Sequence, residues 1–507
     1  MIARKSALII ATNFLNGVLG YVALFFITRY MSPEEYGLVA FALSFVTLFA
    51  IFGKLGYSNA HIKRVSEGKD LGTCIGTFLT IKIGLAVLMM SVLIGAILFW
   101  KVVMGQGFET SAHELAIYIM MGYWAIRLFA QSFITTFNAK KEIAKVQTTF
   151  LLETLVRVAL IIYVAIAGFG AIALAFTYVA GEISYFLLAL YFFRRLTIKK
   201  PSKDYFKDYS SFAFPLIIVA VCSDIMTNID RILIQLFWSS ADVGYYFAAF
   251  RLSKFINMFT LAIGMLLFPT FSMLHANNKI AGIRKLTFKS ERYLSMVVFP
   301  MVFGLVLLAE PAAKILLSGW MPAVPLLQIL PFLALLAALE RPYQSQFLGM
   351  DRPKLARNRI LIMVCFNVVL NIVLIPKDIQ IVGLDLAGMV AKGAAIATVV
   401  AYGVGLMYSR VMAWKLTGIK GNPRILLHAG AGGVMVAILY VILYNLNMIV
   451  FIARWYHLLG FALFGLGIYI GVLYLLREFT KEDLHFFLDV LNIKKMFRYI
   501  KNELKEK

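Results

Sequence analysis

Polar side chains recur at helical spacing inside otherwise apolar stretches of this chain. Asp224, Asn228 and Arg231 are separated by four and three residues, and Gln235 follows four residues later. This spacing places all of them on one face of a predicted helix. A charge at the centre of a bilayer is costly, so it usually faces a partner or a water-filled cavity. The stripe therefore predicts a polar surface within a membrane.

Three more predicted helices carry charges at a similar depth. Arg127 begins a polar stripe on one of them. Glu153 and Arg157, four residues apart, share one face of the next. Arg251 and Lys254 lie on a third helix. Together with Asp224, Asp230 and Arg231 of the first helix, the set has five positive and three negative members, and its net charge of +2 suits an anionic substrate.

Five cations are the predicted contacts of an anionic head group. They are Arg127, Arg157, Arg231, Arg251 and Lys254. The planar guanidinium of arginine binds two phosphate oxygens at once, so phosphate is the group that these residues would suit. Two alternatives stay open. Glu153 and Arg157 could instead form a buried pair that fixes their helix. The Arg231 side chain could instead extend to the membrane surface.

A carboxylate inside a membrane is a candidate for coupling transport to an ion. Asp224 lies near mid-depth on the polar face, where removal from water favours exchange of a proton. We predict a coupling H+ or Na+ at Asp224, with Glu153 as the alternative, and no organic cofactor or metal centre. Lys54 and Lys82, near the ends of their spans, are expected to extend to the membrane surface.

The composition identifies lipid as the main solvent of this chain. Of 507 residues, 61% are hydrophobic and 15% are charged, whereas a soluble chain is nearer half apolar and a quarter charged. A span needs roughly 20 apolar residues, and about fourteen stretches qualify, without the alternation of barrel strands. The predicted fold is an all-α integral membrane protein. The predicted spans are 6–28, 38–58, 74–100, 115–136, 147–167, 170–192, 212–237, 244–275, 294–317, 323–340, 358–376, 386–410, 425–445 and 456–476.

Positive charge is unevenly distributed around these spans. Most of the 49 Lys and Arg fall on one side of the membrane. The loops of the other side hold only Arg29, Lys101, Lys377 and Arg454. Both termini are therefore predicted to be cytoplasmic, in the cell membrane. The net charge of +23 follows from this topology and from contact with anionic lipid, so no nucleic-acid partner is predicted.

A sequence repeat divides the chain. MSPEEYGLVAFALSF, residues 31–45, returns at 238–252 as WSSADVGYYFAAFRL, with Ser32, Gly37 and Ala42 identical at an offset of 207. The offset places the seventh predicted helix on the first in the same orientation, which is typical of parallel six-helix repeats in transporters. The predicted organisation is an N-lobe over 1–200, a C-lobe over 201–424, two further helices over 425–476 and a cytoplasmic, basic, amphipathic tail over 477–507.

The repeated segments resemble those of a known family. Arg29-Tyr-Met-Ser-Pro-Glu-Glu-Tyr-Gly37, Gly53-Lys-Leu-Gly56 and Asp242-Val-Gly-Tyr-Tyr-Phe-Ala-Ala-Phe-Arg251 are similar to segments of the polysaccharide-unit flippases of the RfbX/Wzx type. These belong to the multidrug, oligosaccharidyl-lipid and polysaccharide (MOP) exporter superfamily, and the resemblance covers essentially the whole chain.

The resemblance implies two six-helix lobes that alternate access to a central cavity. It implies a substrate made of a glycan on a polyprenyl phosphate or pyrophosphate, moved from the inner to the outer leaflet. It also implies a monomer, with membrane lipids and a glycan polymerase or glycosyltransferase machinery as the partners to expect.

Other function classes stay open. A multidrug or organic-cation antiporter of the same fold would favour a net negative cavity, against the +2 of the predicted set. A membrane enzyme would need a metal-binding motif, and the trio Glu109, His113 and Glu114 at a span entrance is more typical of solvated surface. The chain has no Walker A motif. A scaffold without transport would not need intramembrane charges. We predict a transporter and not an enzyme.

Overall fold

The computed structural model is almost entirely helical, as the sequence predicts. It describes residues 2–102, 108–379, 384–446, 448, 452, 454–480 and 483. Within these residues, eleven helices are long and apolar enough to cross a membrane, and two bent helix pairs raise the number to thirteen if each counts as one span. The eighth predicted span, 244–275, lies within a further long helix, Ser240–Ala276. The prediction of an all-α, multi-pass membrane protein is confirmed.

The chain divides into two compact units. The first unit runs from Leu8 to Phe247, and the second holds the described residues from Ala248 onward with the start of the first helix. The helices up to this boundary are α1 (Ile2–Tyr30), α2 (Pro33–Phe49), α3 (Ile51–Lys54), α4 (Tyr57–Ser66), α5 (Leu71–Val102), α6 (Ser111–Ala139), α7 (Ile143–Ala167), α8 (Gly170–Phe193), α9 (Lys203–Phe237) and α10 (Ser240–Ala276), which crosses it. Packing thus groups α9 with the helices before it. The lobe boundary at residue 200, inferred from the repeat, stays a prediction.

The second unit continues with helices of 6 to 28 residues. They are α11 (Ile280–Leu307), α12 (Ala309–Leu316), α13 (Val324–Ile329), α14 (Pro331–Gly349), α15 (Pro353–Leu374), α16 (Val390–Thr417), α17 (Arg424–Tyr440) and α18 (Trp455–Leu475). A 3₁₀ turn, Met321–Ala323, precedes α13, and a π-helical turn, Val441–Asn445, follows α17. Two-residue strands, β1 (Asp378–Ile379) and β2 (Leu384–Asp385), pair antiparallel between α15 and α16. Most of the amphipathic tail predicted over 477–507, from residue 484 onward, lies outside the described residues.

Both copies of the sequence repeat begin a helix in the same way. The Ser32 hydroxyl accepts the backbone N–H of Glu35 at 3.2 Å, and the Glu35 carboxylate accepts the N–H of Ser32 at 2.8 Å. This capping box satisfies two N–H groups at the start of α2. At the start of α10, the N–H of Asp242 donates to the Ser239 hydroxyl at 3.3 Å, and that hydroxyl donates to the Asp242 carboxylate at 2.7 Å. The repeated serine and acid are therefore helix caps.

The repeated glycines allow the two copies to touch. A Cβ on Gly37 would lie 1.7 Å from the carbonyl oxygen of Ser240, and a Cβ on Gly244 would lie 2.1 Å from that of Pro33. Any larger residue at either position would have to push the backbone away. The repeat thus marks a backbone-to-backbone contact between the first turns of α2 and α10, inside the first unit.

Candidate functional site

Arg127 lies where α6 and α8 pack together in the first unit. It donates from Nη1 to the Glu182 carboxylate at 2.7 Å and to the Tyr123 hydroxyl at 2.7 Å. Glu182 is fully buried, whereas 28% of the Arg127 side chain is exposed. The carboxylate therefore holds the guanidinium in place while part of it stays accessible.

The other edge of the Arg127 guanidinium is available to a ligand. Within the described residues, its Nε and Nη2 make no hydrogen bond. The group lies 5.5 Å from the ring of Tyr123 and 5.8 Å from that of Trp124, which restrict its movement. A planar guanidinium with two N–H groups on one edge binds two phosphate oxygens. Arg127 is thus the predicted contact whose geometry suits a phosphate best.

Glu153 and Arg157 form a second pair on α7. Arg157 donates from Nε to one Glu153 oxygen at 2.6 Å, and the other oxygen accepts the Thr154 hydroxyl at 3.1 Å. The guanidinium lies 5.3 Å from the ring of Tyr178 on α8, and 17% of the side chain is exposed. Because both oxygens have partners, the geometry supports the interpretation as a buried structural pair. Substrate contact by Arg157 and ion coupling by Glu153 stay predictions.

Glu182 is a residue that sequence reasoning missed. It is the only acidic residue in the apolar sequence of α8, and that isolation is the signal that points to it. With Glu182 included, the charges of Arg127, Arg157 and Glu153 cancel, so the cluster on α6, α7 and α8 is neutral. An anionic ligand at the other edge of Arg127 would therefore share the guanidinium with Glu182, and would not enter a pocket with excess positive charge.

Asp224 on α9 has a counter-ion in Lys54 on α3. The Lys54 ammonium lies 3.1 Å from the Asp224 carboxylate and 4.8 Å from the ring centroid of Trp124. Helix α3 ends at Lys54 because Leu55 takes a left-handed conformation with φ of 38°. The span formed by α2, α3 and α4 bends by 45°. Asp224 would have to lose this lysine before binding another cation.

The expectation that Lys82 extends to the membrane surface is wrong in this structure, whereas the same expectation for Lys54 stays a prediction. Lys54 pairs with Asp224, and Lys82 on α5 is buried and donates to the carbonyl of Gly53 at 3.0 Å. Each ammonium finds an acceptor on a neighbouring helix of the first unit. The position of a lysine near a span end does not decide where its ammonium lies, because helix packing supplies the acceptor.

Arg231 on α9 is almost completely buried. Its Nη2 donates to the Asn228 side chain at 3.1 Å and to the carbonyl of Thr227. The guanidinium lies 4.7 Å from the ring of Phe247. These contacts support a role in packing α9, and they leave Arg231 less accessible than Arg127. Substrate contact by Arg231 stays a prediction.

Arg251 and Lys254 belong to the second unit. Lys254 is exposed and its ammonium lies 4.4 Å from the ring centroid of Phe250, whereas Arg251 is half-buried. Three residues apart on α10, they are neighbours on the helix surface. The structure therefore groups Arg127 with Arg157 in one cluster and places Arg251 with Lys254 in another.

In the second unit, two ion pairs that join spans were not predicted. Glu340 on α14 accepts Arg359 from α15 at 2.7 Å and the Ser409 hydroxyl from α16 at 3.1 Å. Glu291 on α11 accepts Arg410 from α16 at 3.1 Å. Both glutamates are buried, while 11% of the Arg359 side chain and 36% of the Arg410 side chain are exposed. All four charges lie close to predicted span ends, where the sequence gives no reason to single them out.

The trio weighed as a metal site does not converge. Glu109 and His113 both contact the Ser240 hydroxyl, at 2.5 and 2.6 Å, whereas Glu114 pairs with Lys101 at 2.6 Å. Burial alone would raise the pKa of Glu109, but the hydrogen bond from Ser240 helps to hold it below its usual value. The arrangement supports a structural connection between α6 and the start of α10.

Sequence comparison places these features in a family context. A family model described as polysaccharide biosynthesis protein matches residues 2–275, more than half of the chain. The chain is 21% identical over 405 residues to the probable low-salt glycan biosynthesis flippase Agl15 of Haloferax volcanii, which is 80% of this chain and 81% of that protein.

Structural comparison gives the same fold. The lipid II flippase MurJ in an inward closed conformation matches with a TM-score of 0.69 at 16% identity, over 91% of this chain and 97% of that chain. An inward-facing multidrug resistance transporter of the MATE family, of the MOP superfamily, matches with a TM-score of 0.63 at 16% identity, over 80% and 96%. The resemblance predicted from the repeated motifs is confirmed.

Proposed function

The chain belongs to the polysaccharide biosynthesis protein family, and we propose that it moves a glycan linked to a polyprenyl phosphate or pyrophosphate from the inner to the outer leaflet of the cell membrane. A relative named as a glycan biosynthesis flippase supports this function. The mechanism is alternating access, in which phosphate oxygens of the lipid contact cations of the spans while the prenyl tail stays in lipid. The proposed step is transport, without a catalysed reaction.

Arg127 is the residue whose geometry carries the proposal. Its guanidinium is held by a buried carboxylate at one nitrogen, and its Nε and Nη2 make no hydrogen bond within the described residues. A phosphate would bind that edge and replace part of the hydration that the head group loses on leaving water. Contacts by Arg157, Arg231, Arg251 and Lys254 complete the proposed set.

Direct binding tests the substrate class. The purified full-length protein is mixed with a prenyl-pyrophosphate oligosaccharide, a prenyl phosphate and a panel of cationic drugs, and bound species are measured by native mass spectrometry. We expect selective binding of the phosphorylated lipids, weakened by Arg127→Ala and by Lys254→Ala. Lys314→Ala is the control, because Lys314 is an exposed cation whose ion-pair partner, among the residues that the structure describes, is Glu310 at 2.7 Å.

Transport is then measured in proteoliposomes with a fluorescent lipid-linked oligosaccharide, as its transfer between leaflets. Transfer that depends on the protein and falls in the Arg127 variant is the expected result. Binding of drugs with indifference to the phosphorylated lipids would contradict the flippase function.

Ion coupling is proposed at Asp224, with Glu153 as the alternative site and H+ or Na+ as the ion. The Lys54 contact supports Asp224, because exchange of Lys54 for another cation would change the packing of α3 on α9. Asp224→Asn should remove the response of the transport rate to an imposed H+ or Na+ gradient. A variant that keeps the wild-type response would exclude Asp224 and leave Glu153 to be tested.

A multidrug or organic-cation antiporter is the alternative function. The neutral charge of the α6–α8 cluster and the rings of Tyr123, Trp124 and Tyr178 favour it, since aromatic walls suit organic cations. The drug panel in the binding experiment decides between the two. For either function we propose a monomer with cytoplasmic termini, and for the flippase a functional association with glycan polymerase or glycosyltransferase machinery.

A further inference from the structure

Three cations surround a groove at one end of the second unit. Arg284 and Lys285 on α11 line it with Lys420 of the loop between α16 and α17. The groove has a volume of about 620 Å³, and its remaining surface includes the apolar side chains of Phe288, Ile419 and Pro423. We call this surface, defined by these six residues, the basic groove.

The loop that forms one wall of the basic groove is fixed. The Asn422 side chain donates to the carbonyl of Phe288 at 3.2 Å and accepts the N–H of Arg424 at 3.0 Å. Arg284 donates from Nε to the carbonyl of Thr417, the last residue of α16. A carbonyl at a helix C-terminus has no partner within its helix, so it is a good acceptor for a cation. These bonds hold the loop against α11.

Gly418 makes room for Arg284. It has a left-handed φ of 69° at the end of α16, and a Cβ there would lie 3.1 Å from Arg284 Nη2. A side chain would crowd the guanidinium and strain the backbone. The position of Arg284 is therefore built into the turn that ends α16.

Some loop cations elsewhere have carboxylate partners. Lys140 lies 2.8 Å from Glu142, and Lys199 lies 2.7 Å from Asp70. By contrast, none of the three cations of the basic groove forms an ion pair with any residue that the structure describes. Three like charges on one concave surface repel each other, and an anion is the ligand that would relieve this repulsion.

We propose that the basic groove binds the phosphate head group of an anionic membrane phospholipid, at a site separate from the transport residues. The groove lies where the spans of α16 and α17 end and begin, at Thr417 and Arg424, so it is adjacent to the membrane surface. In the predicted orientation this surface is cytoplasmic. A free phosphate would use only the cations, whereas a lipid would also contact Phe288 and Ile419. The apolar part of the groove therefore favours the lipid as the source of the phosphate.

The test compares lipids on the delipidated full-length protein by native mass spectrometry. We expect preferential binding of phosphatidylglycerol over phosphatidylcholine. The double variant Arg284→Ala with Lys420→Ala should bind phosphatidylglycerol roughly 30-fold more weakly, since each cation near a membrane surface contributes about fivefold. Lys140→Ala, which removes a cation that already has a partner, should leave binding unchanged. Lys420→Ala alone removes an exposed loop side chain and provides a second variant if the double variant does not fold.

Three results would overturn the proposal. The first is equal binding of the two lipids, and the second is a loss of phosphatidylglycerol binding in the Lys140 variant equal to that in the double variant. The third is complete displacement of phosphatidylglycerol by inorganic phosphate, which would identify the groove as a site for a free anion. Because the transport residues are intact in every variant, loss of lipid binding at the groove is distinguishable from failure of the flippase function.

Discussion

In each unit, two Glu–Arg pairs with a buried glutamate differ in how the glutamate oxygens are satisfied. Glu153–Arg157 in the first unit and Glu340–Arg359 in the second have partners at both glutamate oxygens. We call these the closed pairs. In Glu182–Arg127 and Glu291–Arg410, the open pairs, one buried glutamate oxygen has no partner among the described residues.

Exposure follows the same division. The arginines of the closed pairs are 17% and 11% exposed, against 28% and 36% for those of the open pairs. A closed pair connects parts of the structure and offers little to a ligand. An open pair holds a reachable guanidinium beside a carboxylate with remaining capacity to accept a hydrogen bond. The same residue types therefore serve packing in one pair and suit binding in the other.

The largest expected effect is on stability, at a closed pair. Arg359→Ala leaves the Glu340 carboxylate buried without its cation, and loss of one partner of a buried pair costs about 3–5 kcal/mol. We expect a corresponding fall in the unfolding temperature of the purified protein. The double variant Glu340→Gln with Arg359→Met removes both charges and should regain most of the loss. A single variant as stable as the Lys314→Ala control would mean that the pair is not structural.

A smaller effect is expected on binding, at the open pair of the first unit. Arg127→Lys keeps a charge for Glu182, so the unfolding temperature should change little. Lysine cannot bind two phosphate oxygens from one planar group, so affinity for the prenyl-pyrophosphate lipid should fall about tenfold. Arg359→Lys, in the closed pair of the second unit and outside the proposed contacts, is the control and should bind nearly as the wild type. An equal loss of lipid affinity in both variants would show that open and closed pairs do not differ in binding.

Glu291–Arg410, the open pair of the second unit, tests whether both open pairs contribute to transport. Arg410→Lys should lower the transport rate a few-fold without a change in unfolding temperature, because the exposed guanidinium is replaced by a less specific cation. The measurement is leaflet transfer in proteoliposomes, with Arg359→Lys as control. Wild-type transport by the Arg410 variant would restrict the functional open pair to the first unit.

The smallest expected effect is on the pH dependence of the unfolding temperature. It involves two aspartates outside the spans, one in each unit. A hydrogen bond from Lys199, with those from Thr73, lowers the pKa of Asp70 to about 2. Burial would raise the pKa of Asp483, but hydrogen bonds from Arg292, at 2.8 and 2.7 Å, hold it well below its usual value. Asp70 is exposed and Asp483 is buried.

Both aspartates contribute stability that is fully present above the ordinary carboxylate pKa of about 4 and is lost as the pH falls through the lower folded value. Acidification from about pH 5 to pH 3 should therefore lower the unfolding temperature. Asp483→Asn should remove more of this acid sensitivity than Asp70→Asn, because exposed ion pairs contribute little. An equal change in both variants would show that burial does not distinguish the two sites.

Long apolar segments could be predicted from sequence, whereas charge partners could not. Periodicity identified the Glu153–Arg157 pair, because both residues lie on one helix, and it placed Arg127 on a polar helix face without identifying its partner. Glu182 and Lys54 escaped, because their partners come from helices distant in sequence. The end of α3 at Lys54 depends on the left-handed conformation of Leu55, for which apolar patterning carries no signal. Pairing thus required the packing of helices, which one sequence without its structure does not specify.

The contact at the repeated glycines has the symmetry of a dimer interface. The offset of 207 relates Pro33 to Ser240 and Gly37 to Gly244. Gly37 touches Ser240, and Gly244 touches Pro33, so each glycine contacts the first residue of the helix that holds the other glycine. Such a reciprocal contact is isologous, the kind that identical subunits form around a two-fold axis. A chain of half this length would make it only by pairing with a second copy of itself. Joined in one chain, the copies are no longer required to be identical, and the glycines are kept where the backbones meet.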